Sequence, residues 1–275
     1  MRLVLIPEFN LFKLLWNARI KRANMDKIHK FLFINKWERY FPNTELPITY
    51  YYTDQVTAEE LADTQQADRC LIGNLNRVRQ GHTFVYAKDT PGCSGGKRYS
   101  GFSNTLSPTF EYFLSCGIPG QVEGERYKQS PELVRATMAH WHSFSAPGKY
   151  LVFKRWDKLE EKDAPLGVIF FASGDVLAGL FTLANFDYPE PDGVIAPMGS
   201  GCSSILATVI REAERPKPRA VLGMFDVSAR PYVPAHTLTF TVPLARFLEM
   251  VANMDESFLI THSWQVVAQR IQAGV

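Results

Sequence analysis

The residues of this 275-residue chain best suited to chemistry are its four cysteines, Cys70, Cys93, Cys116 and Cys202. They are separated by 23, 23 and 86 positions, with no CxxC pair, so neither a zinc-ribbon nor a ferredoxin spacing is present. Their settings say more than their spacing. Cys93 lies in Pro91-Gly92-Cys93-Ser94-Gly95-Gly96-Lys97-Arg98, where glycines let backbone N–H groups converge on an anion and two cations follow. Cys202 lies in Gly199-Ser200-Gly201-Cys202-Ser203, at the expected start of a helix, and Cys70 follows Arg69 and opens a helix of its own. Unpaired N–H groups and the helix dipole at such starts favour thiolate, the form needed in a metal ligand, an iron–sulfur ligand or a nucleophile.

The plainer reading of dispersed cysteines in a reducing compartment is that they are small core residues. Against it, the leading expectation is one cysteine-built metal site, an iron–sulfur cluster serving electron transfer or small-molecule binding, with all four cysteines as ligands. Arg69, Lys97 and Arg98 would offset cluster charge, and the glycines would donate N–H bonds to sulfur. Cys116 closes a helix instead of opening one; if it stands apart, the remaining three leave one iron open to substrate.

A competing expectation is a metal-free module for an anionic metabolite. Gly92, Gly95, Gly96, Gly201 and Ser203 would supply N–H groups, Lys97, Arg98 or Arg230 the charge, and Asp226 and Arg230 would orient the ligand or hold a turn. A third is an interaction protein with no site. His140 and His142, two apart, point in different directions and are poor joint ligands. His82 and His236 begin strands and read as edge residues. Tyr50, Tyr51 and Tyr52 could stack on a flat ligand, but tyrosines in a strand usually pack. Neither GxGxxG nor the P-loop pattern occurs.

The elements that must position these residues alternate between strand and helix. Strands are expected at Ile48 to Thr53, Thr83 to Ala87, Lys149 to Trp156, Leu166 to Ala172, Ala220 to Phe225 and His236 to Val242. Helices are expected near 26–40, after the Thr57–Glu60 capping box, over Cys70 to Gln80 with Gly81 as its stop, and at the Ser107-Pro108 and Ser130-Pro131 starts. Others are expected over Asp175 to Asn185, Cys202 to Glu214, Leu244 to Met254 and from Ser263, with Lys88 to Asn104 a loop. The fold class is α/β, mixed α+β, as a single domain over 25–275. Its halves, 25–156 and 164–275, could form a pseudo-twofold repeat making Cys70 and Cys202 equivalents, although alternating α/β units resemble one another without a repeat; the charged stretch Asp157 to Asp163 between them reads as a linker candidate or, more simply, a solvated turn.

With 30 basic against 28 acidic residues, the net charge of +2 excludes a nucleic-acid binder of the highly basic kind. The longest apolar runs fall short of the ~18 to 20 residues that cross a bilayer, so no membrane partner is expected. The N-terminus turns basic after its apolar start, opposite to a signal peptide, which points to the cytoplasm and makes disulfides improbable. Met25 is the expected natural start, with 1–24 an upstream extension. The partners implied are a small molecule or a redox protein. The blocks Arg69-Cys70-Leu71-Ile72-Gly73, Pro91 to Gly96, Tyr112 to Gly117 and Gly201 to Ser204 resemble the cysteine-bearing blocks of an uncharacterised prokaryotic family, domain of unknown function 169, from roughly Ile48 onward. That resemblance implies a shared fold and carries no assigned reaction.

Overall fold

The computed structural model describes residues 27–64, 69–141 and 143–274; the readings of 1–24, of Met25 as a start and of His142 lie outside these. Seven strands form one sheet in the order β2-β3-β1-β4-β7-β6-β5. They are β1 (Ile48–Thr53), β2 (Phe84–Ala87), β3 (Tyr150–Arg155), β4 (Gly167–Ala172), β5 (Val194–Ile195), β6 (Ala220–Gly223) and β7 (Leu238–Pro243). All neighbouring pairs are antiparallel except β5 with β6. β1 pairs with β4, Ile48 opposite Ile169, so the two halves of the chain meet at the centre of a single mixed α/β sheet.

Strand periodicity divides the side chains between two layers. Val152 of β3, Val168 and Phe170 of β4 and Phe240 and Val242 of β7 face one layer, while Tyr50 of β1, Phe84 and Tyr86 of β2, Leu151 and Phe153 of β3 and Ile169 and Phe171 of β4 face the other. The first layer is closed by α1 (Lys27–Tyr40), then, after α2 (Ala58–Thr64) and α3 (Leu71–Arg79), by α7, α10 and α11 further along. Those last three are α7 (Gly174–Asn185), α10 (Leu244–Asn253) and α11 (His262–Ala273). Each large apolar side chain buried here contributes about 1.5–3 kcal/mol. The second layer holds α3, α4 (Ser94–Tyr99) and α8 (Gly201–Ile205), with α9 (Ala207–Ala213) continuing from α8. Two short helices, α5 (Phe110–Phe113) and α6 (Pro131–Met138), lie in the long connection from α4 to β3.

Several local expectations hold in atomic detail. Thr57 N–H donates to Glu60 Oε2 at 2.7 Å and Glu60 N–H to Thr57 Oγ1 at 3.2 Å, the reciprocal bonds of a capping box. Ser130 caps α6 by accepting from Leu133 N–H, and Gly81 turns the chain after α3 at φ +101°. Others are corrected. Lys88 to Asn104 is not all loop, because it contains α4. The helix expected over Cys202 to Glu214 breaks at Leu206, whose φ −123° and ψ −83° are not helical. The solvated turn read from the charges of Asp157 to Asp163 is present, with Lys158, Glu160, Glu161 and Lys162 exposed; what the charges did not announce is its anchor, Asp163, which is buried and accepts from Lys154 Nζ at 3.0 Å. Outward from the central pair, β1-β3-β2 and β4-β7-β6 follow the same order, but β5 has no counterpart and the connecting helices differ, so the order alone does not establish an internal repeat.

Candidate functional site

Three of the four cysteines come to one place. Cys70 is the N-cap of α3, Cys93 the N-cap of α4, and Cys202 lies in the first turn of α8. All three line a cavity of 470 Å³ on the second layer of the sheet. The three helix starts are packed together by small residues. A side chain on Gly96 of α4 would reach Leu71 of α3 at 3.9 Å, and one on Gly201 of α8 would reach Ile72 of α3 at 3.4 Å. None of the four cysteines is in a disulfide.

Around each sulfur the local structure is specific. Cys93 Sγ accepts from Gly96 N–H at 3.2 Å, a sulfur performing the capping usually done by oxygen. The Cys202 loop is fixed from outside: Ser200 Oγ accepts from Ser203 N–H at 3.2 Å, and Asp226 Oδ2 accepts from Gly201 N–H at 3.1 Å. Asp226 reaches that position because Met224, just after β6, adopts φ +68°, a left-handed turn that costs energy for a side chain of this size. Its other oxygen accepts from Tyr127 O–H at 3.1 Å and from the Ser228 hydroxyl at 2.8 Å.

Close to Cys93, behind Gly92 and Gly96, stands Tyr86 of β2. Its side chain is 1% exposed, and its hydroxyl has no hydrogen-bond partner among the described residues. Burial pushes its phenol up, and Cys202, Cys93 and Cys70 add to that rise. Burial likewise pushes the Cys202 thiol well up, with Cys93, Cys70 and Asp226 acting in the same direction. The expectation that a helix start makes this thiol acidic is therefore corrected: desolvation and like charge outweigh the backbone bond that favours thiolate.

The rest of the cavity is carbon-rich. Tyr99 packs edge-on to Trp141 at 5.7 Å and Trp141 edge-on to Phe110 at 6.1 Å, while Phe113, Val134 and Met198 complete the walls. Among the described residues, no group of three or more His, Cys, Asp or Glu is placed to hold a metal ion.

The remaining residues singled out from the sequence fall as follows. Gly95, Gly96, Gly201 and Asp226 line the cavity with the three cysteines. Cys116 does not: it is exposed, and its thiol donates to Gly117 O at 3.5 Å. Lys97 and Arg98 lie on the part of α4 turned away from the cavity. Lys97 Nζ donates to Ala87 O at 2.5 Å and sits 4.3 Å from the Tyr86 ring centre, and Arg98 donates to Asn104 O. Arg230 spends its guanidinium on Thr237 O, Ala235 O and Pro234 O. Gly92 borders Tyr86 from outside the cavity, Ser203 lines a smaller neighbouring cavity together with His140, and Arg69 is exposed. His82 pairs with Asp63 at 2.8 Å and His236 is exposed, both apart from the cysteines. Tyr50 and Tyr51 are buried on opposite faces of β1, and Tyr52 donates to Ser100 O, so all three serve packing.

Sequence reasoning passed over Tyr86 and the aromatic walls. The alternation Phe84, Tyr86 within β2 was the available signal for the first; the walls come from the 105–141 connection, where no periodicity announces them. No helix among the described residues is long and apolar enough to cross a membrane. No curated protein and no solved structure matches the chain. A family model for DUF169, described as uncharacterised ArCR, matches residues 45–253, a span that takes in the whole sheet and all three cavity cysteines, and the chain belongs to that family.

Proposed function

We propose that this protein carries an iron–sulfur cluster on Cys70, Cys93 and Cys202 and uses it on a small apolar molecule admitted to the adjoining chamber. The observation that carries the reading is the convergence of three thiols, from three helix starts spread over the sequence, on one cavity. Packing alone asks for no such coincidence.

The donor set suits the group. Three soft sulfur donors match iron and copper better than magnesium or calcium. Among the described residues no three His, Cys, Asp or Glu are placed to hold one metal ion, so the reading requires a polynuclear cluster, where each thiolate binds a separate metal. Cys202, kept neutral by burial, is a poor nucleophile as it stands, and a bound cation supplies the charge that ionises it. The cations expected for the anion-binding alternative, Lys97, Arg98 and Arg230, are turned to carbonyl oxygens, which leaves Lys128 as the lysine on the cavity lining.

Held by Cys70, Cys93 and Cys202, such a cluster would supply an electron-transfer group beside the chamber. The chain's own residues do the rest. The Asp226 bond to Gly201 N–H fixes the loop that presents Cys202, and Gly96 N–H steadies Cys93. Tyr99, Trp141 and Phe110 exclude water from the chamber and select for apolar shape. A reducing cytoplasm would keep the thiols available.

Anaerobic purification followed by a visible spectrum and assays of iron and acid-labile sulfide tests the reading. A coloured wild-type protein, colourless Cys70→Ser, Cys93→Ser and Cys202→Ser variants and a coloured Cys116→Ser variant are expected. A wild-type protein that stays colourless after reconstitution, or loss of iron in Cys116→Ser, would overturn it.

A further inference from the structure

Resting on that reading, we propose that Tyr86 is the hydrogen-bond donor of the site, holding its O–H for the sulfur anions that form when a thiophilic metal is bound. It is a positioning residue, and three independent features of its surroundings converge on this role.

The first is its unspent hydroxyl. A buried O–H without a partner costs stability, so most buried hydroxyls in proteins are paired. Tyr86 is buried and unpaired among the described residues, and one point, the Cβ position of Gly96, lies 3.1 Å from its Oη and 3.6 Å from Cys93 Sγ.

The second is the space kept for it. A Cβ on Gly92 would stand 2.6 Å from Tyr86 Oη, and one on Gly96 would stand 3.1 Å from Oη and 3.6 Å from Cys93 Sγ. Neither glycine has a positive φ. The glycines of the Cys93 loop are therefore small because the phenol hydroxyl needs the room beside the sulfur, not because the chain needs an unusual turn.

The third is the cation behind the ring. Lys97 Nζ, 4.3 Å from the ring centre, draws electron density from the phenol and strengthens its O–H as a donor. This gives Lys97 a place in the site without contact to any bound group.

An O–H bond to a thiolate or sulfide sulfur stabilises the anionic form, while the same hydroxyl gains nothing against three neutral thiols. Removing it must therefore act with opposite sign on the two states. The test uses the full-length protein, wild type and Tyr86→Phe, each metal-free and each titrated with Cd²⁺, whose binding to thiolates is read by ultraviolet charge-transfer absorbance. Metal-free Tyr86→Phe is expected to melt at the same temperature as wild type or higher, while its Cd²⁺ affinity falls about tenfold, the scale of one hydrogen bond to a charged group. With iron reconstituted, its reduction potential is expected to shift to a lower value at unchanged iron content. A Tyr86→Phe protein that binds Cd²⁺ as tightly as wild type, or that melts lower when metal-free, overturns the proposal and leaves the three-cysteine site standing. A wild-type protein that takes up neither Cd²⁺ nor iron sinks both.

Discussion

The two layers flanking the sheet are built to different ends. On the closed side, Trp37 stacks on Phe41 at 4.3 Å, Phe33 meets Phe247 edge-on at 4.9 Å, and Trp156 meets both Phe33 and Phe247 at about 5 Å. On the cysteine side the same strands pack against α3, α4 and α8, whose N-terminal ends border a chamber of 470 Å³, and Tyr50, Tyr86, Thr239 and Thr241 bury hydroxyls without partners among the described residues. Close packing is worth several kcal/mol where it is complete, and an unpaired buried hydroxyl subtracts about 1–3 kcal/mol. The difference is one of openness: both faces bury an apolar cluster, but only the cysteine side borders the 470 Å³ chamber, so substitutions there are expected to cost less than in the closed aromatic cluster.

The sharpest contrast is chemical. Replacing Cys70, Cys93 or Cys202 by Ser should abolish metal retention while the thermal melt moves little, and iron content measured beside the melt checks both halves of that statement. The next contrast is energetic. Trp156→Ala should cost about 3–5 kcal/mol in urea unfolding because it empties the centre of the aromatic cluster. Phe113→Ala, at a chamber wall where the side chain is 38% exposed, should cost no more than ~1 kcal/mol. Equal losses at the two positions would erase the proposed division of labour.

Adding one methyl group probes the same difference more finely. A Cβ on Gly179 of α7 would stand 2.3 Å from the Trp264 ring and 2.8 Å from Phe41, so Gly179→Ala should destabilise by about 1–3 kcal/mol. At Gly95 of α4 the nearest atoms are 3.7 Å away, an ordinary contact, and Gly95→Ala should be neutral or stabilising by up to ~1 kcal/mol. Chemical denaturation of the pair reads the sign directly.

The smallest effect concerns acid. On the closed side, the Arg246 guanidinium holds Asp187 at a pKa of about 2. The folded value lies below the unfolded one near 3.9, so this pair contributes stability above pH ~4 that is lost as pH falls toward 2. Asp187 is a third exposed, so solvent screening limits the gain to about 1 kcal/mol. Asp187→Asn should be less stable at neutral pH and lose less than wild type between pH 4 and 2. A parallel acid profile in the variant would remove the pair from the account.

Much of this architecture was legible in the sequence, for identifiable reasons. The capping box at Thr57–Glu60, the Ser130 cap and the strand parities follow from local hydrogen bonding and period-2 burial, which depend on neighbours in sequence. The helix-start settings of Cys70, Cys93 and Cys202, the last two beside glycine, pointed to the cavity because helix starts and small residues are also local. What stayed hidden is what only the assembled sheet decides. Ser94–Tyr99 forms a helix despite two glycines because Gly96 and Tyr99 are buried against the second layer, a tertiary gain that overrides weak propensity. The directions of Lys97 and Arg98 depend on that unexpected helix. Cys116 shares its glycine neighbour with the others, yet its turn faces outward, and nothing within the turn announces this.

The wiring of the sheet also sets when the sulfurs can meet. Cys70 and Cys93 flank β2 on one wing, whereas Cys202 precedes β6 on the other, and the wings join only where β1 zips onto β4. Closing so distant a contact is entropically expensive and late in assembly. On the proposed reading, a nascent or half-built chain would offer stray metal at most two of its three sulfur teeth, and cargo would be clasped only after the last seam of the fold has shut.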